Sequence, residues 1–221
     1  HRNLPAWISI NYARAMMQRG KDAEHYLQGA ISTGRIKEYR RQERRLAQKG
    51  ALVYKSLTEN EDLNSWLQEF LRIEGSGWKG RNSSALCSSD NYRLFFQKIV
   101  RSAYEKNRLQ MLAVSIDGQF IAQKCNFISG PAAFSFKIGF DERFRRYSPG
   151  VLLEIENIRR FHEDRRLEWM DSCAEPGHPM IDSIWTERRT MQSLFVGLGK
   201  RSSHFIVAIA PFLRWLKHRI I

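Results

Sequence analysis

The heptapeptide Arg145-Arg146-Tyr147-Ser148-Pro149-Gly150-Val151 concentrates residue types that handle anions. Ser148 can cap a helix by accepting a first-turn amide through its hydroxyl. Pro149 suits the first helical position, where no donor is lost and φ is already right. Gly150 has no side chain to hold a ligand away from the backbone. A helix that starts this way aims free amides and the positive end of its dipole at open space, a ready site for phosphate. Arg145 and Arg146 stand just before it and can pair with phosphate oxygens. Ser-Pro also starts many helices that bind nothing, so the tripeptide alone does not decide between the two readings.

The neighbouring elements must position that start. Ala132–Phe140 has the length and aromatic content of a strand, and Asp141–Tyr147 reads as a polar loop. Val151–Phe161 is apolar around most of its surface, as a buried helix is, and Leu167–Met170 reads as a short strand. Strand, loop, helix and strand predict a right-handed crossover between parallel neighbours. Upstream, Asp117-Gly118 predicts a two-residue hairpin joining Gln110–Ile116 to Gln119–Ile128. Ser129-Gly130-Pro131 is a second turn, so three antiparallel strands form a meander that ends in Ala132–Phe140.

Before the meander, Ala51–Leu57 reads as a strand, and Thr58 with Glu61 as a capping box. Leu63, Trp66, Leu67, Phe70 and Leu71 then follow helical spacing. Glu74–Arg81 is a glycine-rich loop whose Trp78 either lines a pocket or covers the core. Asp90 is placed to cap a helix over Asn91–Lys106, with Phe95, Phe96, Ile99, Val100 and Ala103 inward. His1–Thr33 shows only short apolar pieces broken by Pro5, Gly20 and Gly29. Arg35–Lys49 is helical in composition, with seven basic and two acidic residues. After Asp171 comes a loop with two prolines, then a short helix over Ile181–Arg189, a strand over Met191–Val196, a linker over Gly197–Ser203 and an amphipathic helix over Phe205–Ile221, kinked at Pro211.

The chain of 221 residues, 43% apolar and 12% aromatic, is globular and long enough for a full core. Its 36 Lys+Arg against 23 Asp+Glu leave a net charge of +13, which favours anionic partners. Cys87, Cys125 and Cys173 are odd in number and form no CxxC pair, which argues against a disulfide framework or structural zinc and fits a reducing cytoplasm. No run approaches the ~20 apolar residues of a spanning helix. The start at His1 reads as the remnant of a truncated first lobe. The expected organisation is an N-terminal helical segment over 1–50, a central domain over 51–197 and an amphipathic tail over 198–221.

The order of elements resembles the GNAT acyltransferase fold, an α/β (α+β) arrangement with a mixed central sheet, an antiparallel meander, a β-α-β crossover and flanking helices. Glu74 with Trp78-Lys79-Gly80, the hairpin Asp117–Gln123, the run Phe136–Glu142 and Tyr147–Leu153 look like the branch containing cellulose-biosynthesis-type and Fem-like (peptidoglycan-bridge) transferases. The resemblance spans about Ala51 to Gly197. It implies an N-acyltransferase, expected to use acetyl-CoA or another acyl-CoA and a small primary amine, with no metal. Residues Arg145–Val151 then match the pyrophosphate loop. The family pattern there is Gln/Arg-x-x-Gly-x-Gly/Ala; this chain keeps Arg146 and has Val151 in place of the final Gly/Ala.

In that fold two parallel strands splay apart and the acyl group lies in the gap. The resemblance puts Asp171 at the gap as first candidate base, beside apolar Trp169. Asp171 reads equally as a cap of the following turn. Glu74 is the second candidate base. Lys137 would orient a substrate, and Trp78, Lys79 and His178 would lie on the acceptor side; His178, between Gly177 and Pro179, reads also as a plain loop residue. Two alternatives stay open: a Fem-like transferase taking an aminoacyl group from tRNA, and a degenerate GNAT-fold module in envelope assembly. An acidic acyl carrier protein or an anionic membrane surface, with the chain peripheral to its inner face, also fits the charge.

Overall fold

The computed structural model describes residues 4–76, 86–198 and 201–220. The chain divides into two compact units, residues 15–187 and residues 1–14 with 188–221. Ala6–Gln18 is one 13-residue strand, β1, where the sequence shows only short apolar pieces. Its early residues belong to the smaller unit and its last ones to the larger.

In the larger unit β1 is followed by α1 (Ala23–Ala30), α2 (Thr33–Ala47), β2 (Leu52–Ser56), α3 (Leu63–Gly75), α4 (Asp90–Glu105), β3 (Leu109–Ile116), β4 (Gln119–Ser129), β5 (Ala132–Phe140), α5 (Pro149–Glu163) and β6 (Trp169–Asp171). The strand order is β2-β3-β4-β5-β6-β1. All neighbours are antiparallel except β5 and β6. The β3–β4 turn has Asp117 at φ +48° and Gly118 at φ +82°, the doubly left-handed turn that matches strand twist. The Asp117 carboxylate also accepts the Ala51 amide at 2.8 Å. A Cβ on Gly50 would overlap that carboxylate, so glycine is required where α2 hands over to β2.

Helices cover both faces of this sheet, which is why β3 and β4 show no simple polar–apolar alternation. On one face α3 and α4 bury Trp66, Leu67, Phe70, Phe96 and Val100 against Met111, Ala113 and Cys125. On the other, α1, α2 and α5 bury Leu27, Tyr39, Leu152, Ile158 and Phe161 against Leu112, Val114 and Ala122. The expected inner residue Phe95 of α4 is 54% exposed, while Phe96 is fully buried.

Local starts differ in detail from expectation. Asp62 caps α3, accepting the Asn64 and Ser65 amides, while Glu61 accepts the Thr58 amide just before it. Ser89 is the N-cap of α4, and Asp90 lies in its first turn. The region expected as a helix over Ile181–Arg189 is a single 3-10 turn, Ile181–Ser183, followed by β7 (Glu187–Val196). Trp185 is fully buried between them, so the chain there follows an anchor and not helical spacing. In the smaller unit β1 and β7 are neighbours, and α6 (Arg201–Ile220) contains Pro211.

A charged network lies inside the core. Lys124 on β4 and Glu154 on α5 pair at 2.8 Å with both side chains at 0% exposure. Lys124 also donates to Ser135 Oγ, and Glu154 accepts from Asn157 at 2.9 Å and from the Trp185 indole at 3.2 Å. Asn157 in turn accepts from Asn126 at 2.7 Å. Removing one partner strands a buried charge, whereas removing both does not. Lys124→Met or Glu154→Leu alone is expected to cost about 3–5 kcal/mol, and the double substitution much less than the sum. Urea unfolding of the four proteins measures this cycle.

Candidate active site

Strand β5 pairs with β6 only through Ala132–Trp169, Ala133–Met170 and Phe134–Asp171. It then runs on to Phe140 with no β6 residue opposite, so the two parallel strands fork after Phe134. On the β4 side an extra residue, Phe136, interrupts the register between Ser135–Asn126 and Lys137–Cys125. A bulge of this kind bends a strand and re-aims its groups.

The end of β5 leads into the arginine-rich stretch, which is a 3-10 turn over Glu142–Tyr147. Asp141 organises it: its carboxylate accepts the Arg143 amide at 3.0 Å and the Arg143 guanidinium at 2.6 Å. These hydrogen bonds to Arg143 hold the Asp141 carboxyl below its ordinary range, against the opposing effect of burial. Tyr147 is buried, and the Arg146 guanidinium lies 4.7 Å over its ring. Arg145 is 78% exposed and 3.9 Å from Glu142. Both arginines thus sit at the surface immediately before α5.

The start of α5 differs from the expected cap. Ser148 adopts a left-handed conformation, φ +50°, and its side chain makes no capping bond. Its carbonyl accepts the Val151 and Leu152 amides at 2.9 and 3.1 Å. Pro149 has no amide proton, and the Gly150 amide has no backbone partner among the described residues. Gly150 is buried, and a Cβ there would meet the Phe140 ring at 3.2 Å. The glycine therefore serves the close approach of helix to strand. The start offers one amide, two arginines and the dipole, and not an open row of amides.

Asp171 lies at the crotch of the fork, opposite Phe134, and is 3% exposed. Its carboxylate accepts the Cys173 amide at 2.7 Å, with Cys173 at φ +51°, so it does cap the following turn. Trp169, on the same side of β6, packs edge-on against Phe134 at 5.5 Å. Further along β5, Glu74 and Lys137, expected in separate roles, form one pair at 2.9 Å. The second Glu74 oxygen accepts the Leu86 amide at 2.8 Å. The pair exists because Gly139 lets α3 come close: a Cβ there would lie 3.1 Å from the Glu74 Cα. Lys137 keeps 25% of its side chain exposed, while Glu74 keeps none. His178 is exposed, and its ring accepts the Ile181 amide at 3.3 Å. Trp78 and Lys79 lie outside the described residues. No group of acidic, His or Cys side chains among the described residues could hold a metal.

Sequence reasoning did not find the Lys124–Glu154 network below the fork. A signal existed: a lysine inside the mostly apolar run of β4, and a glutamate among Val151, Leu152, Leu153 and Ile155 at the start of a helix expected to pack on it.

A family model described as an acetyltransferase (GNAT) domain matches residues 33–178. No curated protein matches the chain. Among solved structures, FemX aligns with a TM-score of 0.59 at 8% identity, over 83% of this chain and 61% of that one. A conserved protein of unknown function from Bacteroides thetaiotaomicron VPI-5482 aligns at 0.55 and 11%, over 87% and 61%. L-PGS from Bacillus licheniformis aligns at 0.55 and 9%, over 93% and 65%. At such identities the likeness is one of fold, and the chain spans less than two thirds of each of these structures.

Two outcomes follow from the turn and the helix start. Gly150→Val should push Phe140 aside and destabilise the domain by roughly 1–3 kcal/mol, read as a lower midpoint in urea. Asp141→Asn should lower the melting temperature at neutral pH. Because the native carboxyl titrates below its unfolded value, its contribution is complete above the ordinary range. It is lost as pH falls through the native value, so the gap between the two proteins should close below about pH 4.

Proposed function

The chain belongs to the acetyltransferase (GNAT) domain family, and on that premise we propose that it moves an acyl group from a CoA thioester to a primary amine by direct attack. The fork between β5 and β6 carries this reading, because it opens beside a helix start flanked by two exposed arginines. A CoA thioester supplies an activated carbonyl and a stable leaving thiolate. The residues present fit such a co-substrate: Arg145, Arg146 and the Gly150 amide can receive a diphosphate, and the free edge of β5 is continuous with them. Tyr147, Ser148, Pro149 and Val151 set the conformation of that loop.

Holding the two reactants together removes most of the entropic barrier. A base must still take the proton of the attacking nitrogen. Asp171 takes that role in this proposal, through the carboxylate at the crotch of the fork. Glu74, with both oxygens engaged, holds the Lys137 ammonium in place to orient the substrate. Glu74 could itself serve as base only by releasing Lys137. Trp78, Lys79 and His178 are assigned to the acceptor side.

One observation favours a second donor. Lys37, Arg40 and Arg44 line the exposed face of α2 beside the Arg41–Glu38 ion pair, and these cations outnumber the carboxylates there, a surface suited to the phosphates of an aminoacyl-tRNA.

Thermal unfolding with added ligand distinguishes the donors, since binding to the folded state alone stabilises it by about 2.7 kcal/mol at a hundredfold excess over Kd. Acetyl-CoA is expected to raise the melting temperature, and Arg145→Ala/Arg146→Ala to remove most of the rise. Asp171→Asn should keep the rise and lower kcat by about 10²–10⁴. A rise with tRNA and none with any CoA ester would replace the first reading with the second.

A further inference from the structure

The smaller unit has a composition and a surface unlike the rest of the chain. Twelve of the sixteen large apolar side chains that are exposed among the described residues belong to it. It also contains nine Lys and Arg and no Asp or Glu, and so carries nine of the thirteen net positive charges. An exposed apolar surface of this extent on a folded chain marks something that covers it.

Helix α6 shows how the surface is arranged. Phe205 and Phe212, seven residues apart, share one face of the helix, with Ile206 and Leu213 one position round from them. Their exposures run from 55% to 65%. Arg214 lies half a turn away from Phe205. Its guanidinium donates to the Ser9 carbonyl and lies 5.9 Å over the Trp7 ring, so this side of the helix is fastened to β1. The apolar stripe therefore points away from the strand that holds it. On β1, Ile8 and Ile10 are also exposed, at 47% and 53%, and on β7 so are Leu194 and Val196.

We propose that this unit docks on an anionic phospholipid surface, with α6 lying in the plane of the interface and its Phe205–Phe212 stripe among the acyl chains. The absence of any carboxylate selects the partner. A second copy would set nine cations against nine, whereas an anionic headgroup layer neutralises them while the acyl chains receive the aromatic rings. Among the described residues no helix is long and apolar enough to cross a membrane, which fits a helix that lies on the surface. Pro211 breaks the backbone ladder in the middle of α6, and an interfacial helix tolerates that because water and headgroups reach the freed carbonyl. The proposal does not depend on the acyl-transfer reading, since none of its residues belongs to the fork or to the α5 start.

Sedimentation of the full chain with lipid vesicles tests it. Phosphatidylcholine vesicles with about a third phosphatidylglycerol should bind the protein at least tenfold more tightly than pure phosphatidylcholine, and added salt should weaken the binding. Phe205→Ser/Phe212→Ser should reduce binding to anionic vesicles about tenfold, with an unchanged circular dichroism spectrum and urea midpoint. Ile206→Ser/Leu213→Ser is the second variant should the first fail to fold. Binding that ignores the headgroup charge, binding unaffected by both variants, or no binding at all would overturn the proposal. So would self-association in sedimentation equilibrium that either variant abolishes, because the surface would then be covered by a second copy.

Discussion

The ion pair between Lys124 and Glu154 is the contact on which the rest of the large unit is hung. It joins the middle of β4 to the first turns of α5, and through Ser135 and Trp185 it also fixes β5 and the segment after β6. Neither charge reaches water, so neither tolerates a displaced partner. Apolar contacts would let α5 slide on the sheet at small cost. A buried lysine that needs one particular carboxylate, itself satisfied by an indole and an amide, allows one placement. The start of α5 is thereby held against the end of β5, where Gly150 and Phe140 touch.

Beyond that contact the two parallel strands part. After Phe134 the chain of β6 turns away through the Asp171–Cys173 bond, and β5 continues toward α3, drawn by Glu74 and Lys137. Two carboxylates with unlike duties therefore flank the gap. One closes a turn at its base, and the other neutralises a lysine along its side. Between them lies strand edge that the sheet does not use, next to the surface arginines of the turn before α5. This is the place to which the proposed reading assigns binding and chemistry.

The smaller unit follows different rules. Its strand ends and its helix carry apolar side chains outward, and its sequence holds nine Lys and Arg and no Asp or Glu. That is the surface proposed above to meet a layer that is apolar inside and negative outside, and its unit begins and resumes within β1 and at the start of β7.

The sequence by itself determined the elements whose signals are local. Asp117-Gly118 fixed a hairpin because only left-handed residues suit that turn, and Leu63 to Leu71 fixed a helix because their spacing makes one buried stripe. The order of these elements was enough to place the chain among the GNAT folds. What it could not determine were contacts whose partners are far apart along the chain. Lys124 and Glu154, Glu74 and Lys137, and β1 with β6 and β7 all acquire meaning only when packing brings them together. Ser148 shows the same limit at short range: its type predicts a hydroxyl cap, but the left-handed turn that seats Phe140 on Gly150 directs the side chain elsewhere. Tertiary structure decides such cases because a buried charge or a close approach between backbones outweighs the fraction of a kcal/mol by which a residue prefers one local conformation.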